Sequence, residues 1–380
     1  MKTLLSIFGD KGVLLLAVIV PLVYPFLYSW IYTNEVVRAV PVCVVDMSKS
    51  KSSRQFIQKL DATPDIDVAY LCTDMKEAER KLAEQKAYGI VFFPYDYEQK
   101  TARLEQSTIS AYIDMSFLLY YKAIYITLTN LTLEASSKIQ LKLAQNTTRR
   151  EDKLQENSIK MVDHQLFNKT GGYGNFLLQA VIVILIQQTL VLAVCMRAGW
   201  RRQKAQYTDG KYASTPSMFG DSLPKDFLST FFGYGLLYIW NAAYVLLLTP
   251  KFFGFSQHIT VSEFCIFVVP TLFAMLCFAM ALSTMFKKRE DCMVCIVFSS
   301  LPMLFLVGIS WPEVAIPEFW EYVAWFIPST PAARAFVRLN EMNSTIQDVY
   351  PYLAALIVQG IFYMAVLFIV GARRKVQSTK

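Results

Sequence analysis

The 380-residue sequence has few of the side chains that enzymes use for catalysis. It contains only two histidines, His164 and His258, and none of the H-E-x-x-H, G-x-S-x-G or cysteine–histidine arrangements of common active sites. It also lacks a G-x-x-x-x-G-K-[ST] loop, so the chain cannot hold nucleotide phosphates through a P-loop of its own. We therefore predict that the protein is not an enzyme, binds no cofactor or metal directly, and has both histidines in solvated loops.

Charged residues are scarce as well, at 18% of the chain, whereas a soluble domain usually has about 25%. Hydrophobic residues make up 54%, and the mean hydropathy is +0.34. The apolar residues gather in charge-free stretches, and about 20 such residues allow a helix to cross a ~30 Å hydrocarbon core. The sequence therefore predicts six transmembrane helices, at residues 12–33, 175–196, 227–249, 264–286, 292–310 and 349–371.

The net charge of +7 comes from basic residues that cluster at the ends of these stretches, which argues against nucleic acid as a partner. Because cytoplasmic loops of membrane proteins are rich in Lys and Arg, the clusters at 197–225, 287–289 and 373–375 indicate that both termini are cytoplasmic. Residues 1–11 then fit either an interfacial amphipathic helix or a cytoplasmic extension of the first span.

This orientation places a long hydrophilic stretch, residues 34–174, on the outer side. Short β patterns alternate there with amphipathic helical patterns, which is typical of a small α/β domain, and two longer helical patterns follow. We expect Cys43 and Cys72 in this domain to be buried free thiols, although an oxidising compartment would permit a disulfide. The predicted strands are 40–46, 66–71, 88–93 and 109–114, and the predicted helices are 51–60, 74–85, 116–146 and 151–167.

The predicted fold is thus an α-helical membrane protein with six transmembrane helices and an α/β extracytoplasmic domain between helices 1 and 2. No charged residue lies inside the spans, so an ion-coupled carrier would lack the buried relay that it needs. Energy must therefore enter elsewhere. The interior polar groups either form interhelix contacts or line a pathway. These residues are Gln187, Gln188, Asn241 and Gln359.

Residues 299–342 contain an ordered series of prolines, glycine and tryptophan. Pro302 lies within the fifth span, Gly308 and Trp311-Pro312 follow, and Pro317 precedes the run P-S-T-P at 328–331. This series resembles the late segment of ABC-2 type permeases, the membrane subunits of a class of ATP-binding-cassette exporters. The layout of the whole chain, and the strands V-P-V-C-V-V-D and Y-G-I-V-F-F-P, are similar to the subgroup with a large extracytoplasmic domain after the first transmembrane helix.

Residues 311–340 are too proline-broken to form further full spans, and such blocks are commonly re-entrant or interfacial. The resemblance implies that they cap the outer end of a translocation path. The alternative is a plain outer loop with aromatic anchors. The candidate outer-gate residues are Trp311, Pro312, Pro317, Pro328 and Pro331.

The resemblance also implies that part of the cytoplasmic loop 197–226 fits a cleft in an ATPase subunit. Residues 215–224 are the best candidate, although an ordinary solvated loop is the alternative for each of them. The candidate ATPase-coupling residues are Met218, Phe219, Gly220 and Asp221.

The resulting hypothesis is a permease subunit that moves a substrate outward across a bacterial cytoplasmic membrane. The resemblance implies several partners: ABC ATPase subunits that bind ATP and Mg²⁺, a second permease in a homodimer or heterodimer, and the lipid bilayer. A periplasmic adaptor is a further partner if the cell has two membranes. The rival hypothesis is a membrane-anchored receptor or envelope assembly factor whose outer domain binds a ligand.

Overall fold

The computed structural model describes residues 10–33, 37–103, 105–143, 174–208, 223–286, 288–308 and 310–378. It is mostly helical with one small sheet, as the sequence predicts. The chain divides into two compact units, which we describe separately. The inserted unit is Val36–His164, and the helical unit is Met1–Glu35 with Gln165–Lys380.

The described helices are numbered in chain order. They are α1 Lys11–Ile31, α2 Lys51–Asp61, α3 Met75–Ala83, α4 Tyr97–Ala102, α5 Leu118–Leu143, α6 Gln179–Thr208, α7 Leu223–Ala243, α8 Val261–Ser283, α9 Arg289–Leu306, α10 Glu318–Ala324, α11 Ser329–Asn340 and α12 Ile346–Ser378. Wider π-helical turns occur within α1 at Leu15–Ile19, before α6 at Gly174–Leu178, and after α7 at Tyr244–Leu248, where the helix continues to Phe253.

The inserted unit is built on a four-stranded sheet with the order β2-β1-β3-β4. The central strand β1 pairs in parallel with β2 and β3, whereas β4 is antiparallel to β3. Every strand lies where the sequence pattern predicts one, and Asp74 caps α3 by accepting a hydrogen bond from the backbone N–H of Glu77 at 2.8 Å. The predicted helix 151–167 lies outside the described residues. The strands are β1 Val40–Asp46, β2 Ile66–Cys72, β3 Gly89–Phe93 and β4 Ser110–Ile113.

Cys43 and Cys72 are both free and buried, which confirms the predicted pair of thiols. They lie on neighbouring strands in one apolar cluster with Ala78 and Ile90. Burial, reinforced by the adjacent Cys72 thiol, raises the pKa of Cys43 to about 12. Little thiolate therefore forms at neutral pH, and the thiolate is the reactive species.

We expect Cys43 and Cys72 to resist maleimide in the native protein and to react after denaturation. The measurement is mass spectrometry of a variant whose other five cysteines are replaced by alanine. Cysteine introduced at exposed Ser116 is the matched control and should react rapidly. Equally rapid native labelling of Cys43 would contradict this prediction.

The helical unit contains five described helices that are long and apolar enough to cross a membrane. Most of their charged residues lie in the end turns, whereas Arg197 and Arg202, towards the end of α6, are buried. Each of the five helices overlaps one predicted span. The first begins at Lys11, and the last begins close to Asp348. The five segments are Lys11–Ile31, Gln179–Gln203, Pro224–Phe253, Val261–Ser283 and Ile346–Ala372.

Helix α9 corresponds to the remaining predicted span, the fifth in chain order, and it is shorter than the sequence suggests. It has 18 residues, and its first three, Arg289, Glu290 and Asp291, are charged. The remaining apolar part is about 22 Å long at 1.5 Å per residue, against a ~30 Å hydrocarbon core. The predicted end at residue 310 is too late, because the chain leaves the helix after Leu306 and Gly308 adopts a φ of +88°. The described residues thus contain five full-length candidate spans.

Helix α6 lies at the centre of the helical unit. It packs against α1, α8, α9 and α11, and α8 packs in turn along α12. Its apolar side chains are buried almost all round, which is the pattern of a helix enclosed by other helices. The apolar residues of α1, α7, α9 and α12 instead include many that face away from the unit.

Candidate functional site

The broken segment (residues 311–340) follows α9 and consists of short helices separated by prolines. It contains a 3₁₀ turn at Glu313–Ala315 and then α10 and α11. Each element begins at a proline, because proline has no N–H to donate and its fixed φ suits a first helical turn. Pro312, Pro317 and Pro328 immediately precede the three elements, and Pro331 lies in the first turn of α11.

Helix α11 is almost completely buried, whereas the preceding part of the broken segment is largely exposed. It packs against α6, α8 and α12. Trp311 and Trp320 are more than half exposed, while Trp325 stacks on Tyr352 of α12 with ring centroids 5.9 Å apart. The broken segment therefore has one face enclosed by the helices and one aromatic face available to lipid or another protein.

Arg334 on α11 is a buried cation that connects several parts of the broken segment. Its exposure is 4%, and its Nε donates to the backbone carbonyl of Val307 at 3.0 Å. Its Nη1 lies 2.7 Å from Glu313 Oε1 and 3.9 Å from Glu321 Oε1. The guanidinium also lies 5.9 Å from the centre of the Trp325 ring. One side chain thus joins the end of α9, the 3₁₀ turn, α10 and α11.

Gln359 and Tyr363 of α12 bind the carboxyl end of α10. Gln359 Nε2 donates to the carbonyl of Trp325, and the Tyr363 hydroxyl donates to the carbonyl of Phe326. Carbonyls at a helix end have no partner within the helix, so these side chains satisfy them. Gln359 therefore makes a contact between α12 and the broken segment.

The other predicted interior residues lie on α6 and α7. Asn241 is buried, and its Nδ2 donates to the carbonyl of Ala17 at 2.8 Å, within the π-helical turn of α1. Gln187 is buried beside Met303, with 4.0 Å between its Nε2 and the Met303 sulfur. Gln188 is half-buried. Asn241 thus links α7 to α1, and Gln187 lies where α6 meets α9.

Asn340, at the end of α11, is the centre of a buried polar network. Its Nδ2 donates to Gln179 Oε1 at 2.6 Å and to the Ser256 carbonyl at 3.3 Å. Its Oδ1 accepts from the backbone N–H groups of His258 and Ile259 at 3.3 and 3.4 Å. Nδ1 of the exposed His258 ring lies 2.9 Å from the carbonyl oxygen of Asn340. The network joins α11 to the beginning of α6 and to the connection between α7 and α8.

Replacing Asn340 with alanine should lower the free energy of unfolding of the helical unit by about 2 kcal/mol, because buried partners lose their hydrogen bonds. The measurement is chemical denaturation of the detergent-solubilised protein. Gln347→Ala is the matched control, since Gln347 is exposed on the first turn of α12. Equal effects of the two substitutions would contradict the prediction.

Glu341 follows Asn340 and is buried, with 8% exposure. Its Oε1 has no hydrogen-bond partner among the described residues. Burial raises the pKa of this carboxyl to about 8. A pKa near 8 favours the protonated, neutral form of this carboxyl at neutral pH.

A second close junction joins the beginning of α1, the end of α6 and the beginning of α9. Asp10 Oδ1 accepts from Arg289 Nη2 at 2.9 Å, and Arg202 Nη1 donates to the carbonyl of Phe286. At Gly199 the α6 backbone lies directly against the backbone at Arg289. The candidate coupling residues Met218, Phe219, Gly220 and Asp221, and residues 1–9, lie outside the described part of the chain.

Comparison with known proteins agrees with this architecture. A family model described as ABC-2 family transporter protein matches residues 11–369, which is nearly the whole chain. No curated protein matches the sequence. The match confirms the resemblance carried by residues 299–342, and the apolar helices agree with a multi-pass membrane protein. The chain belongs to the ABC-2 family of transporter proteins, as a membrane permease without a nucleotide-binding domain of its own.

Proposed function

We propose that this permease moves its substrate outward across a bacterial cytoplasmic membrane, driven by ATP hydrolysis on a separate ABC ATPase subunit. The observation that carries the proposal is the family match over residues 11–369 in a chain that has no P-loop. ATP and Mg²⁺ bind to the partner, so this chain contributes the path and the surface that receives the motion. Both termini are cytoplasmic, and α9 is the fifth of six spans.

Mechanical coupling suits spans whose interiors carry no charge. A charge-free interior has no charged side chain that could bind and release a proton or another coupling ion. The buried amides of Asn241 and Gln359 are engaged with backbone carbonyls of neighbouring segments. We assign the receiving surface to the loop 197–226, with Met218 and Phe219 as the apolar contacts to the ATPase.

A second permease completes the path in this proposal. Helix α9 has a continuous exposed apolar face in the single chain, and a face of this kind requires lipid or another protein against it. We propose that two copies, or this chain and a related one, enclose the path between them. The exposed side chains of this face are Val294, Val297, Phe298, Leu301 and Phe305.

The broken segment is proposed to close the outer end of that path. Its short helices are held by buried contacts to α6 and α12, and its exposed tryptophans Trp311 and Trp320 suit the headgroup level of a bilayer. The inserted unit is then extracytoplasmic, and it is the part that an adaptor protein would contact in a cell with two membranes.

Co-purification tests the proposal. The tagged chain, solubilised from its native membrane, should retain an ABC ATPase, and ATP hydrolysis should depend on the complex. Phe219→Asp should reduce the amount of retained ATPase several-fold, whereas Ser214→Asp in the same loop should not. Recovery of a kinase or regulator without any ATPase would instead support the receptor hypothesis.

A further inference from the structure

The ion pair of Arg334 is asymmetric in its exposure to water. The Arg334 side chain is 4% exposed, whereas the side chains of Glu313 and Glu321 are 39% and 38% exposed. Burying a charge is costly unless it is paired, so the guanidinium depends on these carboxylates. The carboxylates can be hydrated where they are. Separation of the pair would therefore leave the Arg334 guanidinium on α11 buried without its partner. The 3₁₀ turn, whose carboxylate can be hydrated, would be free to move outward.

Gly308 allows this arrangement to form at the end of α9. Its φ of +88° turns the chain so that the Val307 carbonyl can accept from Arg334 Nε. A Cβ at Gly308 would lie 3.2 Å from Arg334 Nη2 and 3.3 Å from the Glu313 Cβ. The short distances indicate that the backbone turn and the ion pair occupy one compact space.

The Trp325 ring lies near Arg334, and Tyr352 stacks on the Trp325 ring. Trp325 and Tyr352 stack with an interplanar angle of 7°, and Arg338 lies 4.8 Å from the Tyr352 ring centre while Arg334 lies near Trp325. Two guanidinium groups thus flank a stacked pair of rings, and this arrangement joins α10, α11 and α12. The ion pair with Glu313 connects this stack to the exposed 3₁₀ turn.

We propose that Arg334 is the positioning residue that holds the 3₁₀ turn of the broken segment in its closed place, and that opening separates Arg334 from Glu313. The inference rests on the proposed function of the broken segment as the outer closure. Arg334 contacts no substrate in this role. It acts through the position of Glu313–Ala315 and of the end of α9.

The test measures the distance between spin labels in the nucleotide-free protein. Val314 is fully exposed in the 3₁₀ turn, and Tyr350 is 68% exposed on α12, so cysteines at these positions can be labelled without entering the core. The background variant has its native cysteines replaced. Glu313→Gln and Arg334→Gln should shift the mean distance by about 5 Å, the scale of one helical turn, towards a longer and broader distribution.

Glu318→Gln is the matched control, because Glu318 is an exposed carboxylate on α10. Glu318→Gln should leave the distance distribution unchanged. Glu313→Asp, which keeps a carboxylate at this position, should give a distribution close to that of the background variant. A residue with only a structural role would lower thermal stability without this charge-specific shift. An unchanged distribution in folded Glu313→Gln, or an equal shift in Glu318→Gln, would overturn the proposal even if Arg334→Gln fails to fold.

The two proposals fail in different ways. The role of Arg334 is measured without nucleotide and without a partner. The proposed function predicts in addition that ATP, Mg²⁺ and vanadate move the same labels in the complex with the ATPase. Movement of the labels in the variants together with no nucleotide response would support the role of Arg334 and reject the ATP-driven mechanism.

Discussion

Gly199→Ala is expected to destabilise the helical unit by about 3 kcal/mol, the upper range for an overpacked core. A Cβ at Gly199 would lie 3.0 Å from the backbone nitrogen and 3.1 Å from the Cα of Arg289. Backbone atoms cannot rotate aside as a flexible side chain can, so α6 and α9 would have to separate. The same separation would strain the neighbouring ion pair between Asp10 and Arg289.

Gly235→Ala on α7 is the matched control for this prediction. The nearest atom to a Cβ at Gly235 is Leu276 Cδ1 at 3.6 Å, an ordinary van der Waals contact. Thermal unfolding of both variants in the same detergent measures the difference. A melting temperature for Gly199→Ala as high as that of Gly235→Ala would show that the junction of α6 and α9 is looser than described.

Glu341 is expected to give the protein a stability that falls as pH rises. Burial raises its pKa from 4.5 to about 8, so the folded state binds the proton more tightly than the unfolded state. The stabilisation is complete below pH 4.5, declines through the window up to about pH 8, and is absent above it. The full change corresponds to roughly 5 kcal/mol.

Glu341→Gln should remove this pH dependence and make the protein more stable than the wild type above pH 8, because the amide stays neutral. Denaturation curves at several pH values between 5 and 9 provide the measurement. Glu318→Gln, at an exposed carboxylate, should retain the wild-type slope. A wild-type slope in Glu341→Gln would mean that another group causes the pH dependence.

The sequence predicts most of the secondary structure because its signals are local. The β-rich run at β1 is bounded by turns, and charged residues such as Lys11, Glu263 and Asp348 lie at the ends of apolar helices. The prolines at 312, 317 and 328 mark the beginnings of three short elements. Each of these signals depends on neighbours within a few residues.

The contacts that organise the candidate site depend on residues far apart in the chain. No local pattern marks Arg334 or Asn340 in the sequence, because their partners Val307 and Gln179 are 27 and 161 residues away. Gly199 shows no sequence signal that distinguishes it from Gly235, because only the approach of Arg289 gives it a role. Burial of Glu341 likewise follows from packing that no local pattern encodes.

The π-helical turn in α1 explains how buried side chains spaced every fourth residue can share one face of the helix. The buried positions of α1 recur every fourth residue, and they are Val13, Ala17, Pro21, Pro25 and Ser29. In a regular α-helix each step of four residues rotates about 40° past a full turn, so the five positions would spread over about 160°. The surplus residue at Leu15–Ile19 takes up about 100° of that rotation and keeps them nearly in line. Deleting one residue there should convert the π-helical turn into a regular α-helical turn and leave the later buried positions of α1 facing the same way.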